Sequence, residues 1–270
     1  MTGYDPRMRW ALVACSLASA GCGRIGFELP HGDATTDVRD LDATESAVTF
    51  LQATTLTSNS SGNSASSTLS SAPPMGSLIV VYAWSYGGPT KLPPGGVVDD
   101  GGNVYTRAVT LDTSACSVRT GSVAIYYATA LAPVASSLTI TATATGAIDQ
   151  EVAMVAAVFG GFGSTPHVQV ASRTTPAGVS PQSIDVGPLT TGPHALVASA
   201  VNGCSGSPLA VSWADNRGFT ARGMETDSNS HAPGYAADQI VAAGTHDAAW
   251  TLTYTTPSNQ VAIAVLAAFE

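Results

Sequence analysis

Lys91 is the only lysine in the chain, and charged residues make up 11% of it, against about 25% in ordinary soluble proteins. The formal net charge is −9. A surface so short of cations cannot neutralise a run of phosphates, which excludes nucleic acid and anionic lipid surfaces as ligands. Cysteine is also scarce: Cys15, Cys22, Cys116 and Cys204 are the full set. None has a second Cys or a His at ligand spacing, so neither a metal nor any other cofactor is expected. The histidines, His31, His167, His194, His231 and His246, are scattered in the same way. No capped apolar stripe of period 3.6 is present, so no helix is expected. Beyond the N-terminus no apolar run reaches the roughly 18 residues that would cross a membrane as a helix.

The N-terminus is where the sequence says most. Arg7 and Arg9 precede residues 10–20, which are apolar or small, and Ser19-Ala20-Gly21-Cys22 follows. Such a run is too short for a bilayer core, which takes about 20 residues. It suits the apolar region of a cleaved signal peptide. The apolar-small-small-Cys pattern resembles the lipobox of bacterial lipoproteins. That resemblance implies removal of residues 1–21, acylation of Cys22 and attachment to a membrane of the cell envelope. The family pattern prefers Leu where this chain has Ser19. Leu12-Val13-Ala14-Cys15 fits that position better but leaves almost no apolar run after Arg9, so Cys22 is preferred to Cys15. The alternative is an ordinary secretory signal cleaved after Ala20 or Gly21, with Cys22 left as a free thiol. Asp5 is out of place in a basic leader, which makes Met8 an alternative start. Gly23 stands where enteric bacteria place a retention Asp, and this resemblance favours the outer membrane or cell surface over the inner membrane.

Without residues 1–21 the chain loses Arg7, Arg9 and Asp5, leaving 8 basic and 18 acidic residues and a net charge of −10. Residues 22–46 carry Asp33, Asp37, Asp40, Asp42 and Glu45 with little apolar surface, the composition of a disordered tether. Cys116 and Cys204 remain, 88 residues apart. In an oxidising compartment they either pair or persist as two free thiols, and pairing is expected.

From residue 47 onward Val, Thr, Ile and Tyr dominate, with Gly and Pro as punctuation. Strands are expected at residues 48–53, 78–85, 105–111, 122–128, 137–143, 152–159, 168–173, 183–186, 195–201, 219–225, 235–242, 249–255 and 261–269. Leu138-Thr139-Ile140-Thr141 and Trp250-Thr251-Leu252-Thr253-Tyr254 alternate as half-buried strands should. The Gly/Ser/Asn stretch at residues 58–67 reads as a long loop. The fold class is therefore all-β, a two-sheet antiparallel β-sandwich of jelly-roll-like character.

The two halves resemble each other at a spacing of about 110 residues. Gly76-Ser77-Leu78-Ile79-Val80 matches Pro193-His194-Ala195-Leu196-Val197. Tyr105-Thr106-Arg107 matches Phe219-Thr220-Ala221-Arg222, and Tyr127-Ala128 matches Tyr235-Ala236. Ser137-Leu138-Thr139-Ile140-Thr141 matches Ala249-Trp250-Thr251-Leu252-Thr253. Val152-Ala153-Met154 leading to Phe159 matches Val261-Ala262-Ile263 leading to Phe269. The order is kept, which points to pseudo-repeats over about residues 47–165 and 166–270. Shared composition of sandwich strands is the other explanation. No linker divides the halves, so one sandwich is preferred to two. Gly76 to Val81, Val98-Asp99-Asp100-Gly101-Gly102-Asn103-Val104-Tyr105-Thr106, Tyr126-Tyr127-Ala128 and Val152 to Gly160 resemble the motifs of secreted bacterial β-sandwich modules. That resemblance implies a fold and no particular activity.

No catalytic constellation is expected. Gly203-Cys204-Ser205-Gly206-Ser207 lacks the glycine and the helix of a nucleophile elbow. Asp99-Asp100-Gly101-Gly102-Asn103 suits either a tight turn or a Ca²⁺ site, and the turn is preferred. Residues 213–235 are the richest in polar groups, with Trp213, Phe219 and Tyr235 among them. Trp213, Arg217, Arg222 and Tyr235 are the candidate ligand contacts, for carbohydrate or protein. The expected function is non-catalytic binding by a membrane-anchored lipoprotein. An extracellular polymer hydrolase and a purely structural envelope protein are the alternatives.

Overall fold

In the computed structural model the described residues are 47–89, 91–116, 119–130, 136–146, 151–162, 165–178, 180–204, 211–225, 230–254 and 260–270. The signal segment, Cys15, Cys22 and the tether lie outside them.

The first half contributes β1 (Thr49–Ala53), β2 (Thr57–Asn59), β3 (Ser64–Leu69), β4 (Leu78–Gly87) and β5 (Val97–Asp99). It continues with β6 (Thr106–Cys116), β7 (Arg119–Thr129), β8 (Leu138–Thr143) and β9 (Glu151–Gly160). The second half contributes β10 (Val168–Thr174), β11 (Gln182–Thr191), β12 (Ala195–Cys204) and β13 (Val211–Asp215). It ends with β14 (Thr220–Met224), β15 (Gly234–Val241), β16 (Gly244–Tyr254) and β17 (Val261–Phe269).

Four antiparallel sheets result. The first half forms a large sheet ordered β1-β9-β4-β7-β6, with β2 also on β9, and a small sheet ordered β3-β8-β5. The second half repeats this as β10-β17-β12-β15-β14 and β11-β16-β13. Among the described residues each strand of one half has a counterpart in the other except β2, where the second half has the single Gly178–Gln260 bridge. In place of a single two-layer sandwich there are two sandwiches stacked through their large sheets.

The stacking explains the sequence pattern. β4, β12 and β17 bury every residue, and β9 all but Gly160. A sheet covered on both faces needs continuous apolar strands rather than alternating ones. Leu78, Val80, Tyr82 and Trp84 of β4, with Val155 and Phe159 of β9, join Leu196 and Ala198 of β12 and Ile263, Val265 and Phe269 of β17 in a central core. Their chain neighbours point the other way. Ile79, Val81 and Met154 pack with Leu69, Leu138 and Ile140 of the first small sheet. Val197, Ala264 and Leu266 pack with Ile184, Trp213 and Trp250 of the second. The small sheets face solvent on one side, so β8 alternates buried and half-buried residues.

The ladder corrects two of the sequence matches. Leu78 pairs with Phe159 and Leu196 with Phe269, so Leu196, not Ala195, is the counterpart of Leu78. Tyr127 lies opposite Val80 and Asp238 opposite Ala198, which makes Asp238 the counterpart of Tyr127 in place of Tyr235. The Tyr105/Phe219 match stands. Thr106 and Thr220 pair with Tyr127 and Asp238, and a bulge follows in both halves, between Arg107 and Val109 and between Ala221 and Gly223.

Residues 58–67 are not a long loop. β2 and β3 occupy most of them, and β3 buries Ala65, Ser67 and Leu69 in alternation. The outward Ser66 and Thr68 hydroxyls pair with Thr141 and Thr139 across the sheet at 2.8 and 3.1 Å. Cys116 at the end of β6 and Cys204 at the end of β12 form a disulfide joining the two halves, with Cα atoms 5.4 Å apart. It passes over Gly121, where a Cβ would come within 2.8 Å of the Cys116 sulfur.

Candidate functional site

Residues 213–235 are not an open loop. The end of β13 and all of β14 lie within them, and Tyr235 belongs to β15. Trp213 and Tyr235 are each 8% exposed. Tyr235 lies 5.0 Å from the Trp250 ring and Phe219 5.6 Å, centroid to centroid. The aromatic faces suited to stacking on a ligand therefore wrap Trp250 in the second outer core. Trp250 is itself fixed by donation from Nε1 to Ser199 Oγ at 3.1 Å.

The arginines go elsewhere. Arg217 is exposed and paired through two 3.0 Å bonds with Asp247. Arg222 is the bulge residue of β14, and its side chain enters the seam between the two sandwiches. It donates to both Asp238 carboxylate oxygens, at 2.5 and 2.7 Å, and lies 3.7 Å over the Phe50 ring. Tyr82, from the first half, donates its hydroxyl to the same carboxylate at 3.3 Å. Burial works against the Arg222 charge, and the bonds and charge of Asp238 outweigh it, holding the guanidinium more firmly protonated. Trp213 and Tyr235 thus lie on one face of the second large sheet and Arg222 on the other. The four candidate contacts do not converge.

At the opposite end of the seam Glu151 opens β9, only 4% exposed. Its carboxylate accepts from Ser230 Oγ at 2.5 Å and from the His231 amide at 2.8 Å. Burial pushes the Glu151 carboxyl above its ordinary value, more than the Ser230 and His231 bonds pull it down, and nearby Glu225 adds to the rise. The His231 ring stacks on Tyr86 at 5.4 Å, and burial with the Arg119 charge lowers its pKa. Ser230 donates to the carboxylate rather than to His231, so this cluster is not arranged as a serine–histidine relay. It clasps residues 230–232 of the second half to the first.

The Asp99 segment is a corner rather than a hairpin, because β5 pairs with β8 while β6 pairs with β7. Asp99 Oδ1 accepts from the amides of Gly101 and Asn103, both at 3.0 Å. Its Oδ2 accepts from Asn103 Nδ2 at 2.7 Å and Tyr105 Oη at 2.8 Å. Both oxygens are engaged in shaping the turn.

A cleft of about 340 Å³ opens where the chain crosses from β10 to β11. Arg173 and Thr174 of β10, and Gln182, Ser183 and Asp185 of β11, line it together with Pro176 and Pro181. Gln182 is 7% exposed. Its Nε2 donates to Thr175 Oγ1, the Pro176 carbonyl and the Gln260 carbonyl at 2.8, 2.7 and 3.2 Å. Its Oε1 is buried without a donor, which costs about 1–3 kcal/mol when left unmade. Arg173 and Asp185 are exposed and form no ion pair among the described residues. The sequence signal for this site was weak: single polar residues outside any motif, brought together only by the crossing between sheets. The chain matches no protein family, no curated protein and no solved structure.

Proposed function

We propose that this protein is an exported lipoprotein, anchored by acyl chains on Cys22, whose β-sandwich domain binds an envelope carbohydrate or protein without catalysis. The observation that carries export is the Cys116–Cys204 disulfide in the folded domain, because such bonds persist in oxidising compartments. The lipobox-like Ser19-Ala20-Gly21-Cys22 supports the anchor, and Gly23 supports the outer membrane or cell surface. Binding rather than turnover is supported by the cleft between β10 and β11, which carries one carboxylate, Asp185. A glycosidase of the usual kind works with two carboxylates flanking the substrate.

The test is fractionation of bacteria expressing the full chain. Wild type is expected in the membrane fraction and Cys22→Ser in the soluble exported fraction. Retention of Cys22→Ser in membranes, or release by Cys15→Ser instead, contradicts the anchor.

A further inference from the structure

We infer that one end of the domain is a lipid-facing surface, where Phe50, Leu51, Met75, Val104 and Ile240 meet a layer of zwitterionic phospholipid headgroups. This rests on the reading of the chain as acylated at Cys22 and names the face that the anchor serves. Eight large apolar side chains are exposed among the described residues, and these five share one end. The ladders place them there. Leu78, the first residue of β4, pairs with Phe159, which pairs with Phe50. Leu51 is the bulge residue that follows Phe50. Met75 lies just ahead of the same row, beside Gly76, whose amide donates to the Ala130 carbonyl. β6 runs the same way as β4 and begins at Thr106, opposite Tyr127 in the row of Val80. Val104 precedes it on the Leu78 side. In the second half Ile240 pairs with Leu196, the counterpart of Leu78. The Tyr127 and Phe269 rings, 5.3 Å apart, and the Tyr82–Asp238 bond hold the first rows of β4 and β12 at the same end. Met75 and Val104 are the most open, at 75% and 74%. Exposed apolar residues scattered singly are ordinary, whereas a gathering of them marks an interaction surface.

Two observations select lipid as the occupant. The first is where the chain enters. β1 opens at Thr49, opposite Gly160 at this end, so residues 1–46 join the domain there. Residues 22–46 span at most about 90 Å, so an anchor at Cys22 keeps the domain near the bilayer without orienting it. Apolar side chains at the point of entry supply the orientation. The second is charge. Asp99, Asp100 and Glu270 lie at this end with the exposed His167 and His194. The nearby arginines are committed, Arg107 to the Leu92 carbonyl and Arg222 to Asp238. Anionic lipid is drawn by clusters of lysine and arginine, so this face fits a zwitterionic layer.

Trp84, Trp213 and Trp250 are buried, so an added exposed indole reports on contact with lipid. Full-length Met75→Trp, Val104→Trp and Met224→Trp are purified from membranes and reconstituted in vesicles of plain or brominated phosphatidylcholine. Met224 lies opposite Tyr235, far along the sheet from this end. Emission from Met75→Trp and Val104→Trp is expected to shift to the blue and to be quenched by the brominated lipid. Met224→Trp is expected to be quenched no more than wild type. Unchanged unfolding midpoints establish the fold, and two reporters on the face keep the test decisive should one misfold. No quenching at positions 75 and 104, or equal quenching at 224, overturns the face. Unquenched reporters that shift with protein concentration make the occupant a second copy and overturn the lipid assignment. Phosphatidylglycerol in place of part of the phosphatidylcholine is expected to reduce the quenching, and an increase overturns the zwitterionic assignment. Flotation of the vesicles judges the anchor separately: protein that floats with unquenched reporters keeps the acyl reading and loses this one.

Discussion

The indole of Trp84, on β4 of the first sandwich, lies flat against Gly234, the first residue of β15 in the second. A Cβ at position 234 would come within 2.2 Å of the ring. Trp84 is fully buried, so the ring has nowhere to retreat. Gly234→Ala is expected to destabilise the protein by about 1–3 kcal/mol or more through overpacking. Gly95→Ala, where a Cβ meets nothing within 4 Å, is the control and should change little. Urea unfolding of both variants decides the matter, and equal midpoints would contradict the close packing of the two halves.

The Cys116–Cys204 disulfide closes a loop of 88 residues. In the chain-entropy treatment a bond of that span stabilises by about 4–5 kcal/mol. Cys116→Ala/Cys204→Ala should lose much of this in urea titrations. A thiol assay on the denatured, unreduced protein should find no free thiol from these two residues.

Arg222 and Asp238 stand where the first half has Ala108 and Tyr127, an apolar pair in the corresponding seam position. Removing one member of a buried ion pair strands the other. Arg222→Met is expected to cost about 3–5 kcal/mol, and adding Asp238→Asn should restore part of the loss, because no unpaired carboxylate then remains buried. A double variant no more stable than Arg222→Met alone would contradict this.

The Glu151 clasp gives a pH signature. Its folded carboxyl is raised above the ordinary 4.5, first by burial. The stability linked to its proton is therefore fully present below about pH 4.5 and is lost as pH rises through the folded value. Glu151→Gln removes this dependence. Unfolding free energies of wild type minus Glu151→Gln should fall as pH rises above about 4.5. His231, whose pKa is lowered by burial and Arg119, works in the opposite direction but is common to both proteins. A difference that rises with pH would contradict the dominance of burial over the Ser230 and His231 bonds at Glu151.

Much of the fold was legible from residue pattern alone. The strands expected at residues 78–85, 152–159, 195–201 and 261–269 became β4, β9, β12 and β17, and the alternating runs at Leu138 and Trp250 became half-exposed strands. β3 was missed because its serines read as loop composition, although period-2 burial of Ala65, Ser67 and Leu69 was there to find. The stacking of two sandwiches was missed because only a partner sheet explains why inner strands lack alternation. The candidate contacts failed to converge for a related reason. Trp213 and Tyr235 look like ligand platforms in a polar context, yet both are buried with Trp250 in the core between the second half's two sheets. The cleft at Gln182 depends on a crossing between sheets and leaves no local pattern.

The most direct measurement is mass spectrometry of the N-terminal peptide from the membrane-bound protein. The mature chain is expected to begin at Cys22, its mass raised by a thioether-linked diacylglycerol. A chain beginning at unmodified Gly21 or Cys22, an acylated Cys15, or an intact Met1 would contradict it.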